Sequence, residues 1–123
     1  MKLEQSLKLV PVKKPKQVNP IVHRRERLLK SINNQIEMVR RYRLGEKTNR
    51  LWFWSDENGN TFLPIKYGKV VLELGKGKYS IQCSSVDDVE TNLETVKTLV
   101  IRGEFDDILT KVSKEIRAKF GRD

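Results

Sequence analysis

The chain has 123 residues, of which 37% are hydrophobic and 33% charged, with a formal net charge of +9. That is long enough for one hydrophobic core but too short for two, and the composition is that of a globular chain, not a disordered one. A single cysteine, Cys83, and a single histidine, His23, exclude an internal disulfide and leave too few soft ligands for a zinc centre.

The charge is unevenly spread. Residues 1–50 carry 14 Lys/Arg and 4 Asp/Glu, a net +10, whereas residues 51–123 carry 11 and 12, a net −1. A polyanionic partner is therefore expected, either DNA or RNA or, as the alternative, an acidic host protein. No apolar run approaches membrane-spanning length and the N-terminus has no signal-type hydrophobic region, so no membrane association and a cytoplasmic location are expected.

Residues 1–19 contain Pro11 and Pro15, with Pro20 just beyond, and the lysines Lys13, Lys14 and Lys16. Proline fixes φ and removes a donor, which rules out a long helix or a central strand. The segment reads either as an extended basic arm, with a short edge strand over Ser6–Val10, or as a disordered terminus. From residue 20 onward the chain reads as one domain. Asn19-Pro20 is a helix start. Leu28, Ile32, Ile36 and Val39 then recur every three to four residues, giving one apolar stripe over 20–44 until Gly45. This helix carries Arg24, Arg25, Arg27 and Lys30 early and Arg40, Arg41 and Arg43 late. The late arginines suit the negative end of the helix dipole; the early ones oppose its positive end, which gives a reason to suspect a ligand there, against the commoner reading of a charge run as a solvated basic face.

Residues 51–84 read as a four-stranded antiparallel β-meander. Its strands are Leu51–Trp54, Thr61–Lys66, Val70–Leu74 and Tyr79–Cys83, with turns at Asn58-Gly59 and at Gly75-Lys76-Gly77-Lys78. Pro64 cannot donate to a ladder, which points to an edge strand or a bulge. Tyr79, Ile81 and Cys83 alternate in phase and are expected to face the core. In 85–120 an antiparallel helix pair is expected on the apolar face of the meander. Ser85 and Asp88 form a capping box ahead of Val86, Val89, Leu93, Val96 and Val100, which end at Gly103. Phe105, Ile108, Val112, Ile116 and Phe120 would be the stripe of the second helix. The expected class is α+β: an N-terminal basic helix, a four-stranded antiparallel meander and a C-terminal helix pair.

No residue set reads as catalytic, and no cofactor or metal is expected. The Gly75–Lys78 run lacks phosphate-loop spacing and leads into a strand. The acidic clusters Asp87/Asp88/Glu90 and Glu104/Asp106/Asp107 sit in first helical turns, where the dipole accounts for them. His23 reads as a surface residue and Cys83 as a small core residue. Two features point to nucleic acid. The helix arginines and Lys30, reinforced by Lys13, Lys14 and Lys16, can neutralise phosphates without reading sequence. Trp52 and Trp54 share a strand face and could stack unpaired bases. The competing reading of the tryptophans is a second small core beneath the N-terminal helix, and the helix's need to bury its stripe favours it. The expected function is thus a non-enzymatic nucleic-acid-binding module of low sequence specificity.

The chain also resembles a family of small proteins from proteobacteria and their phages or mobile elements, known only as a domain of unknown function. The resemblance rests on Ser6-Leu7-Lys8-Leu9-Val10 with Lys14-Pro15, on Arg24-Arg25 and on the tryptophan pair before Asn58-Gly59. It continues through Lys66-Tyr67-Gly68, Leu72–Lys78, Leu93-Glu94 and Gly103-Glu104. It implies no activity and no site residues. It does imply an accessory protein of phage or mobile-element type, of the kind that binds host machinery.

Overall fold

The computed structural model describes residues 3–14 and 19–120. A single turn α1 (Leu3–Ser6) precedes the long helix α2 (Pro20–Arg43). Short strands follow: β1 (Trp54–Ser55), β2 (Thr61–Leu63), β3 (Lys66–Tyr67), β4 (Val70–Val71) and β5 (Ile81–Cys83). Helices α3 (Val86–Ile101) and α4 (Asp106–Phe120) close the chain. The class is α+β as expected. No helix among the described residues is long and apolar enough to cross a membrane.

α2 begins where the sequence places it. Asn19 Oδ1 accepts from the Ile21 amide at 3.0 Å, Pro20 takes the first helical position, and Gly45 at φ 85° lies just past the end. Leu28, Ile32, Ile36 and Val39 are all buried. Each such side chain removed from water is worth about 1.5–3 kcal/mol.

What covers this stripe differs from expectation. α2 makes its most extensive contact with α3, a smaller one with α4, and touches β3. Its C-terminal part faces the start of α3 through Arg40 and Arg43, and its N-terminal part faces the start of α4 through Arg25. The C-terminal helices therefore cover α2 as well as the sheet, α3 reaching it at β5. The tryptophans part company: Trp52 packs partly against the core that holds the α2 stripe, its amide bound to Gln35 of α2, while Trp54 is 52% exposed and not covered by that helix.

The strands are shorter than the alternation suggests and divide between two sheets. β1, β2 and β5 form one antiparallel sheet in that order, and β3 and β4 form a separate hairpin. Pro64 explains the division. β2 is the central strand, not an edge, but its ladder stops at Leu63, immediately before the residue that has no N–H to give. Gly75 and Lys78 make only an isolated bridge across their turn. Tyr79 is exposed and donates its hydroxyl to Glu73 at 3.0 Å, so it does not join Cys83 in the core. Residues 51–53 lie outside any strand, and their entry is set by buried Gln35. Its amide donates to the Arg50 carbonyl at 3.0 Å and accepts from the Trp52 amide at 2.9 Å.

Ser6–Val10 forms no edge strand. Residues 7–14 lack regular structure, and Leu7, Leu9, Val10 and Val12 are exposed, since no sheet edge among the described residues pairs with them. Lys16 lies outside the described residues. The Ser85 cap forms as read, its hydroxyl accepting from the Asp88 amide while Asp88 accepts from the Ser84 amide. In α4 Leu109 is fully buried and Val112 buried, behind buried Phe105; Ile108 and Ile116 are only partly covered.

Candidate nucleic-acid interface

The seven basic residues of α2 separate into two groups according to what each side chain meets. Arg25 forms a two-pronged pair with Asp106 at the head of α4, its Nε donating to Oδ1 at 2.8 Å. At Arg25 the compensating anion is therefore a carboxylate of the same chain and not a ligand. The pair drives the Asp106 carboxyl below the usual aspartate range, chiefly through the hydrogen bonds from Arg25. At the other end, Arg43 reaches Asp87 at 2.8 Å and Glu90 at 3.0 Å. Arg40 reaches Glu90 at 3.3 Å and Glu94 at 3.9 Å. Arg41 pairs with Glu37 one turn back at 3.3 Å. These four arginines are charge-compensated, and Arg25, Arg40 and Arg43 serve mainly to lock helices together.

Arg24 and Arg27 meet neutral groups. Arg24 Nη1 donates to the Thr110 hydroxyl at 3.2 Å, which leaves its charge uncancelled. The Arg27 guanidinium lies over the Tyr67 ring, 4.7 Å from its centroid. The tight turn at Gly68 adjoins it: a β-carbon there would come within 3.2 Å of Arg27 Nη2. Between these side chains and the last turns of α4 is a cavity of about 300 Å³. It is lined by Pro20, His23, Arg24 and Arg27 of α2, Tyr67 of β3, and Ser113, Ile116 and Arg117 of α4. Three arginines and a histidine line it, with no carboxylate among the described residues of its wall. The positive end of the α2 dipole opens into the same space. Lys30 is exposed one turn beyond Arg27, and Lys13 and Lys14 are exposed on the arm; none has an ion pair among the described residues.

The antiparallel alternation of the three-stranded sheet sorts its faces. Thr61, Leu63 and Cys83 are buried on the inner face. Burial pushes the Cys83 thiol upward in pKa against the opposing hydrogen bond from Asn92, so this cysteine is a packed core residue. On the outer face Trp54, Phe62 and Gln82 stand in register in one row. The Trp54 and Phe62 rings are 4.9 Å apart between centroids and tilted by 38°.

Sequence reasoning placed Arg24, Arg27 and Lys30 in the candidate set but did not distinguish them from Arg25, Arg40, Arg41 and Arg43. It also missed Arg117 near the end of α4, His23, which reads as a surface residue, and Phe62. Arg117 is brought to the same cavity as Arg24 by the packing of α4 on α2, across 93 residues of chain, which no local pattern marks. No family model, curated protein or solved structure matches the chain.

Proposed function

We propose that this protein is a non-enzymatic nucleic-acid-binding module of low sequence specificity, gripping the phosphate backbone at the pocket of Arg24, Arg27 and Arg117. The observation that carries this reading is the contrast within one helix. Four arginines are neutralised by carboxylates of the same chain, and the cavity that Arg43 lines has Glu46 and Asp87 in its wall; Arg24 and Arg27 instead meet neutral partners and line a cavity whose described walls add a third arginine and a histidine. A guanidinium presents a rigid fork suited to two phosphate oxygens, and its delocalised charge sheds water readily. Arg24 and Arg27 are further restrained by Thr110 and Tyr67, so little side-chain freedom is lost on binding. Lys30, Lys13 and Lys14, exposed and without an ion pair among the described residues, add charge that raises affinity without reading sequence.

The test is fluorescence anisotropy with a labelled oligonucleotide over a salt series. Micromolar affinity at low salt, with log K falling linearly against log salt, is the expected result. Absence of binding at low salt, or binding indifferent to salt, overturns the reading. Recovery of one stoichiometric acidic protein from nuclease-treated lysate, together with no oligonucleotide binding, would transfer the same pocket to a protein partner.

A further inference from the structure

The outer row of the three-stranded sheet is used neither by the core nor by the phosphate pocket. Trp54 is an edge-strand residue, 52% exposed, leaning on Phe62 of the central strand with Gln82 of the far strand beside it. Neighbouring strands are about 4.8 Å apart, so the row runs about 10 Å across the sheet. It offers an aromatic surface and then an exposed primary amide. The approach to this row is held in place from beneath. Arg50 adopts φ 64°, a left-handed conformation that a residue with a β-carbon rarely takes, and the Gln35 amide spans its carbonyl and the Trp52 N–H. Arg50 is itself exposed and without an ion pair among the described residues, so a positive charge stands two residues ahead of the tryptophan segment. Two acidic residues lie on the hairpin turn: Glu57 is exposed, and beside it Asp56 organises the turn. Its carboxylate accepts from the Asn58 and Asn60 amides and the Asn60 side chain, and these bonds hold its pKa down.

We infer that this face is a stacking platform for an unpaired nucleobase, which makes single-stranded nucleic acid the preferred partner. The inference rests on the nucleic-acid reading above and narrows it to one substrate class. An unpaired base matches both halves of the row: its π-face lies on Trp54 and Phe62, and its hydrogen-bonding edge meets the Gln82 amide. Exposed Arg50, four residues before Trp54, adds positive charge to the same stretch of chain. An apolar protein side chain would use the rings but leave the amide without a partner. In a duplex the base faces are already stacked on one another and cannot reach a flat protein surface.

The experiment compares an oligo-dT strand of about a dozen nucleotides with the duplex formed from it and its complement, using the full chain and the variants Trp54→Ala and Trp54→Phe. The intact protein should bind the single strand more tightly than the duplex. Trp54→Ala should weaken single-strand binding by roughly tenfold, the size of one lost stacking contact, with the salt slope and duplex affinity unchanged. Trp54→Phe keeps an aromatic ring and should recover most of the loss, which separates stacking from any damage to the sheet. Equal affinity for strand and duplex, or the same loss on both in Trp54→Ala, overturns the platform while leaving the phosphate pocket standing. No binding of either probe at low salt overturns both.

Discussion

Gly103 sits at φ 85° directly beneath the Arg25–Asp106 pair. A β-carbon at this position would fall 2.6 Å from Arg25 Nη2 and 3.0 Å from Asp106 Oδ2. Substitution therefore incurs both a left-handed backbone penalty and displacement of the guanidinium that joins α2 to α4. Gly103→Ala is expected to lower stability by about 1–2 kcal/mol from the backbone alone. Urea denaturation should show a reduced midpoint with an unchanged slope. The same scale governs Gln35, which is 5% exposed and satisfies two backbone groups of the strand entry at once. Gln35→Leu keeps the volume but strands the Arg50 carbonyl and the Trp52 N–H. A cost of about 1–3 kcal/mol follows, read in the same denaturation experiment, because an orphaned buried polar group loses its hydration without replacement.

At the scale of elements, periodicity was a sound guide and pairing was not. The α2 stripe and the Ser85 cap could be read directly because an α-helix is built from contacts within a few residues of itself. The strands here are two or three residues long, and a strand of that length is defined by its neighbour. Nothing local says that Leu63 should pair with Ile81 while Lys66 turns away into a second hairpin. Tyr79 was misjudged for the same reason: its alternation with Ile81 and Cys83 holds only if the strand begins there. The α2–α4 junction makes an acid-sensitive contact. Arg25 holds the Asp106 carboxyl below its ordinary pKa in the folded state. The stability it contributes is therefore present above the unfolded value, about 3.9, and disappears as pH falls through the lower folded value. Asp106→Asn should be less stable than the intact chain at neutral pH, and the difference should close as the denaturation is repeated in increasingly acid buffer. A difference that persisted in strong acid would mean that the pair is not the coupling between these helices.

For the whole molecule the sequence announces an excess of charge in its first 50 residues but cannot say which charges are spent. The partners of Arg40 and Arg43 lie on α3, with Glu90 50 residues from Arg40 and 47 from Arg43, so compensation is a property of the tertiary fold. The structure divides one basic helix into arginines paired with carboxylates and two that meet neutral groups beside the α4 cavity, and each group makes its own forecast. Replacing Arg24, Arg27 and Arg117 by glutamine removes three charges but keeps most of each apolar stem. The slope of log K against log salt should then become shallower by about two to three, since each phosphate contact contributes roughly 0.7–0.9. Folding stability should change by less than about 1 kcal/mol, the value of the exposed Arg27 stack on Tyr67. Replacing Arg40 and Arg43 by glutamine should do the reverse. It breaks exposed pairs worth about 0–1 kcal/mol each, lowering stability slightly, and leaves the salt slope close to that of the intact chain. If the two sets weakened oligonucleotide binding equally, net charge alone would explain the affinity and the pocket would have no special part in it. A loss confined to the pocket set would locate the phosphate contact where α2 begins and α4 ends.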